Sequence, residues 1–404
     1  MSIRWRSRLL GIALGLGAAG GILGWQQGTL RRGLAGSPGV RVLPENEGAI
    51  EAVALHYSRE ARRVVEPAYR AFLSYLARDV RVYVVTPDDA AAEDFARLAA
   101  EWRLGDGLPT SVRSDRIRYV RVDAPITPWC KDRFLVAAPA GRSGRTALLC
   151  PRLDDGSWAA RVGDSSVGPR LAQEDPDEFE ALCVQLHFDA GDILATREHL
   201  FVGEPLYAKN EGRTVQSRDE LRRTLGRVFG RRVVWLGEQP GDVPDHHLSM
   251  YLAPVDEYTV LVGDAELGHR LWPKARAEQP RRDDGAGDPD FSPKAIARLQ
   301  RAAAQLRAEG FRVVPLPLVP FHDPKTFITY TNGVFETRDG VRIVYMPWYD
   351  WPALDEAARA TYASLGYRVH PVPVRALYPL RGTIGCLINV LARGRPEAHP
   401  HGLR

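Results

Sequence analysis

Five short segments of this chain set polar and reactive side chains inside apolar or glycine-rich sequence that reads as strand ends. They are residues 128–134 (PWCKDRF), 188–193 (FDAGDI), 245–252 (DHHLSMYL), 330–335 (YTNGVF) and 381–390 (RGTIGCLINV). Together they offer Asp132, Asp189, Asp192, His246 or His247, Asn332 and Cys386. A thiol, an imidazole and several carboxylates suit nucleophilic catalysis by cysteine. Acyl transfer needs a thiol, an imidazole, an oxyanion hole and at most one group to orient the ring. A guanidinium substrate asks for more acid, because it stays protonated at any physiological pH. Carboxylates must fork onto its N–H groups, a thiolate then attacks the central carbon, and the imidazole handles the leaving amine and the incoming water. The surplus of aspartates favours the guanidinium class.

Each candidate also has a bland reading. A cysteine near a strand is usually a small packing residue, and Cys130, Cys150 and Cys183 are read that way. Cys386 stands apart because Gly382 and Gly385 beside it permit close backbone approach. His247 is preferred over His246 by register, with His246 read as solvent-facing or capping. Asp132, between Lys131 and Arg133, could sit in a surface ion cluster, and Asp189 could form a turn. Trp348 and Trp351 could line a substrate mouth, although aromatic core positions are commoner.

The elements that must position these residues alternate between helix and strand. Apolar periodicity predicts helices over 58–77, 90–102, 218–229, 295–309 and 354–365. Short β-branched runs follow, each opening on or beside a basic residue: VRVYVV from Val80, RRVVWL from Arg231, FRVVPLPL from Phe311 and YRVHPVPV from Tyr367. IRYVRV from Ile117 is read as the fifth member. One helix-to-strand unit recurring about five times predicts an α/β repeat architecture. The chain lacks a G-x-G-x-x-G turn, a phosphate-binding lysine loop and a G-x-S-x-G nucleophile elbow, so no nucleotide cofactor is expected.

Composition narrows the field further. The 404 residues are 45% hydrophobic, with 54 basic and 50 acidic side chains and a formal net charge of +4. Much of that excess lies in the first 32 residues, so no basic face for nucleic acid is expected. Four cysteines in so long a chain form no disulfide scaffold, and no C-x-x-C pair suggests zinc. Three arginines precede an uncharged apolar run over 9–25, followed by Arg31 and Arg32. That pattern predicts a signal peptide or membrane anchor within 1–35, hence an exported or inner-membrane-anchored protein facing away from the cytoplasm. A cytoplasmic protein with an untargeted leader is the other reading. A single catalytic domain is expected over 42–392, with a mobile polar insertion near 274–293 and a disordered tail over 393–404.

The five segments resemble, in order and approximate spacing, the motif series of the guanidino-group-modifying (pentein) superfamily. That group includes agmatine deiminase and bacterial peptidyl-arginine deiminase. PWCKDRF resembles its Trp-x-Arg-Asp segment, FDAGDI its acidic-Gly-Gly-Asn turn, and DHHLSMYL its His-x-Asp segment. YTNGVF is similar to its Ser-Tyr-x-Asn strand, and TIGCLINV to its Gly-Gly-x-His-Cys nucleophile turn. The resemblance implies a five-bladed α/β propeller of ββαβ units and hydrolysis of a guanidinium group, on agmatine or on free or peptidyl arginine, to a ureido group and ammonia. It implies Cys386 as nucleophile, His247 as general acid and base, and Asp189 as the carboxylate supporting the histidine. Asp132 would grip the guanidinium, with Trp129, Asp192, Ser249 and Asn332 shaping the substrate site. It implies no metal and no organic cofactor, and leaves the oligomeric state open. Lys131, Asp192, Ser249 and Gly385 depart from the pattern. Ser249 stands where a second guanidinium-binding aspartate is expected, and Gly385 where a histidine is expected. Amidino transfer, or a propeller that binds without turnover as in one translation initiation factor, are the other functions compatible with the motifs.

Overall fold

A computed structural model describes residues 40–104, 111–138, 144–153, 159–280 and 282–394. The leader over 1–35 and all but the first two residues of the expected tail lie outside the described residues. Among the described residues, no helix is long and apolar enough to cross a membrane.

Strands gather into five separate sheets of three or four strands. One plan recurs in all five: an antiparallel pair, then a helical crossover, then a third strand parallel to the second. In one sheet Thr146–Cys150 pairs antiparallel with Leu135–Ala138 and parallel with Phe179–Cys183, with helix Ala159–Glu174 between the parallel strands. The next uses Leu194–Ala195, His199–Gly203 and Arg232–Leu236, crossing over through Glu204–Asn210 and Arg218–Phe229. Leu252–Pro254, Thr259–Asp264 and Arg312–Pro320 form the third, around helices Ala265–Glu278 and Pro293–Ala308. Val334–Arg338, Val341–Trp348 and Tyr367–Pro373 form the fourth, around Pro352–Ser364. In the fifth, the C-terminal strand Ile388–Arg393 pairs antiparallel with the N-terminal Ile50–His56, which runs parallel to Arg81–Thr86. The last described strand thus completes a unit with residues 50–86, giving the expected five-unit ββαβ architecture.

Local chemistry explains the boundaries. Helix Arg218–Phe229 starts where the Ser217 hydroxyl accepts the Glu220 N–H and stops at Gly230, whose φ of +60° closes the helix in the left-handed region. Three of the five crossover strands open on exposed or half-buried arginines (Arg81, Arg232, Arg312) and continue into buried apolar residues. Each therefore enters the sheet from the surface and runs into the core.

Two expectations need correction. IRYVRV is an added fourth strand, Ile117–Arg121, parallel to Arg81–Thr86. The fifth helix-to-strand step is instead Ala159–Glu174 into Phe179–Cys183. The insertion near 274–293 is also not a loose loop. Its first part lies in helix Ala265–Glu278, and Arg282 is buried beyond it. The Arg282 guanidinium stacks 4.1 Å over the Trp351 ring, pairs with Asp284, and donates to the carbonyls of Tyr349 and Asp350. Asp284 also accepts from Arg375 and from the Tyr378 hydroxyl. Charges that read as solvating are partners in a buried network, and Trp351 belongs to the core beneath it.

Candidate active site

Every one of the five polar segments leads into the first strand of a ββαβ unit. Asp132 leads into Leu135–Ala138, Asp189 into Leu194–Ala195, His247 into Leu252–Pro254, Asn332 into Val334–Arg338, and Cys386 into Ile388–Arg393. The repeat therefore brings five equivalent entry turns together, and each touches the next. The Lys131 N–H donates to the Cys386 carbonyl at 3.1 Å, and the Ala190 N–H to the Asp132 carbonyl at 2.8 Å. Gly191 lies so close to the His247 ring that a Cβ there would fall 2.7 Å from it. The Thr331 hydroxyl donates to the Ser249 carbonyl at 3.0 Å, and the Gly385 N–H to the Asn332 carbonyl at 3.2 Å. These contacts close a ring of five turns. Backbone on ordered strands holds it, which gives the precision a catalytic group needs.

Cys386 sits in the single helical turn Ile384–Leu387 and is 5% exposed. The Asn332 amide nitrogen lies 2.9 Å from its Sγ and 2.9 Å from the Met250 sulfur. Asn332 is held in turn by its neighbours: the Tyr330 hydroxyl donates to Asp355, and the Asn332 carbonyl accepts the Thr383 hydroxyl. Gly385 is required by the same contact, since a Cβ there would stand 1.9 Å from Asn332 Oδ1. A histidine, as the motif series leads one to expect, has no room with Asn332 in this place. Gly385→Ala is expected to push Asn332 off the sulfur and destabilise the fold by about 1–3 kcal/mol, the usual cost of overpacking. Urea unfolding checks this; an unchanged midpoint would mean that the two turns separate freely.

His247 lies between the thiol and two carboxylates. Its Nε2 is 3.5 Å from Asp189 Oδ2 and its Nδ1 is 3.9 Å from Asp132 Oδ1, and the neighbouring Cys386 also favours its charged form. Burial disfavours a charged imidazole here. The hydrogen bonds with Asp189 and Cys386 and the charge of Asp132 outweigh it, holding the ring protonated well above the ordinary histidine range. Burial also opposes ionisation of Asp189, yet His247 and the charges of Lys209 and Arg161 hold its carboxyl well below the usual range. At Asp132 burial prevails over the charges of His247 and Arg161, and the carboxyl is pushed up. Two adjacent carboxyls are thus driven apart, one firmly ionised beside the imidazole and one readier to take a proton.

The other expected residues fall in different places around the ring. Asp192 is buried, and its carboxylate accepts the Asp189 N–H at 2.9 Å and Lys209 at 2.6 Å. It shapes the turn that carries Asp189. Ser249 is buried beside His247 and meets Thr331 through its carbonyl. The Trp129 ring packs on Gly382, in the turn before Cys386. His246 faces inward rather than to solvent. Its Nδ1 accepts the His247 N–H at 2.8 Å, and its ring tilts against Phe327. Burial and the His247 charge push its pKa well down, so it serves as a neutral acceptor.

Two cations escaped the reading of the sequence. Lys209 bridges Asp189 and Asp192, and Arg161 bridges Asp132 and Asp189. Their site partners lie far along the chain, and the one local pair, Arg161 with Asp164, does not point to the site. Asp132, Asp189 and His247 bring three potential metal-ligand atoms within 4.8 Å of one another. Arg161 and Lys209, however, already donate to these two carboxylates. The donor set fits N–H cations better than a metal ion.

No family model matches the sequence, and no curated protein sequence matches it. Solved structures do match, and they show the fold: the architecture is shared with agmatine deiminases of known structure. The agmatine deiminase of C. jejuni superposes with a TM-score of 0.63 at 18% identity, covering 88% of this chain and 97% of that one. A proposed arginine deiminase from Porphyromonas gingivalis gives 0.59 at 20% identity, over 86% and 97% of the two chains. The agmatine deiminase of Enterococcus faecalis gives 0.59 at 13%, over 88% and 97%. At these identities the likeness is one of fold, and the chemistry has to be argued from the site.

Proposed function

We propose that the protein hydrolyses a guanidinium group to a ureido group and ammonia through a covalent adduct on Cys386. The observation that carries this reading is the convergence of Cys386, His247, Asp189 and Asp132 on one ring of entry turns. Thiol, protonated imidazole and paired carboxylates are what a flat cation with an electrophilic carbon demands. Asp132 and Asp189 hold the substrate's N–H groups, and the Cys386 thiolate adds to the central carbon. Protonated His247 passes its proton to one nitrogen, which leaves as ammonia, so an amidino group remains bonded to sulfur. The now neutral His247 takes a proton from water as it attacks that carbon. Collapse of the adduct breaks the C–S bond, its hydroxyl proton passing to the departing ammonia, and releases the ureido product and the thiolate. No metal and no organic cofactor enters any step.

Solved structures of the same fold include a C. jejuni agmatine deiminase with substrate bound, which supports a small guanidinium compound as the substrate class. The test offers the purified protein agmatine, free arginine, methylated arginines and an arginine peptide, and measures ureido product. Product from at least one of these is expected, and which one it is names the substrate. No product from any of them, with the protein folded, would remove hydrolysis and leave amidino transfer or binding without turnover.

A further inference from the structure

Arg161 stands on helix Ala159–Glu174 with its guanidinium spread across the site's two carboxylates. Nη1 donates to Asp132 Oδ2 at 2.9 Å and Nη2 to Asp189 Oδ1 at 2.5 Å, while Asp164 Oδ2 lies 3.5 Å from Nη1. Two N–H groups of one planar cation forked onto two acids is the pattern a bound guanidinium substrate would make. We propose that Arg161 is an internal guanidinium that competes with the substrate's own for Asp132 and Asp189, and so sets which substrates gain entry. The proposal rests on the guanidinium reading given above and deepens it.

Three observations support competition over coexistence. The first is the filling of the carboxylates. Asp189 Oδ2 already takes Lys209 at 3.0 Å and faces His247, and Asp132 Oδ1 faces His247 as well. With Arg161 on the other two oxygens, every oxygen of the pair already faces a cation, and a second fork would have to share those oxygens with Arg161. Charge is the second. Arg133, Arg161, Lys209 and protonated His247 already face Asp132, Asp164, Asp189 and Asp192. Burial pushes the Asp132 and Asp164 carboxyls up, so negative charge is already short here; a further cation would enter without a partner of its own, whereas one replacing Arg161 adds no charge to the cluster. Third, the helix itself is pinned. A Cβ on Gly163 would stand 1.9 Å from the Pro125 carbonyl, and one on Gly168 would stand 2.7 Å from the Cys150 sulfur. Arg161 therefore yields by rotating its own side chain, which is 20% exposed and has solvent on one side.

The test uses the full chain with Cys386→Ala, which removes turnover, with and without Arg161→Ala. The probes are guanidinium ion and methylguanidine at millimolar concentration, followed by calorimetry, with tetramethylammonium as a cation that has no N–H fork. The double variant is expected to bind both guanidines at least about tenfold more tightly than the single one, as removal of an occupant populating its site nine-tenths of the time requires. Tetramethylammonium should show no gain. Arg161→Gln, which keeps bulk and polarity, should give the same direction. An Arg161→Ala protein that folds only when guanidinium is supplied would support the same occupancy. Equal affinity with and without Arg161, or an equal gain for tetramethylammonium, overturns the proposal. A guanidine gain in a protein that makes no ureido product would leave the competition standing and remove only the hydrolysis. Turnover without the gain would do the reverse.

Discussion

Cys386→Ser and Cys386→Ala are each expected to lower ureido production by about 10⁴-fold or more, with little change in unfolding midpoint. Removing a nucleophile abolishes the covalent route, and the remaining groups supply only what binding and polarisation can give. Folding should survive, because Cys386 contributes a small side chain to a turn held by backbone contacts with Asn332, Lys131 and Thr383. The guanidinium-binding carboxylates are untouched in these variants, so binding should persist while turnover vanishes. The other thiols cannot substitute. Burial pushes the Cys130 and Cys150 thiols far up, which leaves them without the thiolate that attacks, and Cys150 and Cys183 lie in strands off the ring of entry turns. Mass spectrometry of wild type stopped during turnover should find an amidino adduct on the peptide carrying Cys386. Activity retained within tenfold in Cys386→Ala would exclude covalent catalysis at this sulfur.

That result would also account for how the site could be read from the chain at all. Each entry turn had to place a polar side chain, and often a glycine, just before a run of buried strand residues, and that contrast is visible in one dimension. What the sequence hid was direction. The segments looked like strand ends, yet they open strands, because a short buried run reads alike from either side. The fifth repeat was hidden by its own packing. Helix Ala159–Glu174 carries Gly163, Gly168 and Pro169 and buries Asp164 and Ser165, so its apolar periodicity is blurred. The glycines exist to let the helix lie against Pro125 and Cys150, a requirement set by distant partners. Arg161 and Lys209 were hidden for a related reason. Their acids lie 28 and 20 residues away in sequence, where neither helix pairing nor local motif can reveal them. The insertion near 274–293 misled in the opposite sense, since its charges look solvated until Arg282 is seen stacked on Trp351.

Asp189→Asn should combine the second-largest loss of activity with a shift in pH dependence that a merely structural residue would not produce. Asp189 gathers His247, Arg161, Lys209 and Arg133 around one carboxylate. Removing one partner from so buried a set leaves the others uncompensated, at a cost of about 3–5 kcal/mol. The two linked shifts have opposite signs. The Asp189 pKa is lowered by folding, so its stabilisation is present above its ordinary value near 4 and is lost as pH falls through the folded value. The His247 pKa is raised by folding, so its stabilisation is complete below about 6.5 and is lost as pH rises through the folded value. Wild type should therefore hold its stability from mildly acidic pH to well above neutral. In Asp189→Asn the acidic limb disappears, and His247, having lost its first supporting hydrogen bond, titrates nearer its ordinary value. Because the first chemical step needs that ring protonated, turnover should decline from a lower pH than in wild type. It should also fall by about 10²–10⁴-fold at neutral pH, the usual weight of a general acid. Measuring kcat across pH 5–10 separates the causes. A uniform loss with an unmoved profile would reduce Asp189 to a packing partner, whereas a basic limb displaced toward acid would identify it as the group that keeps His247 charged for catalysis.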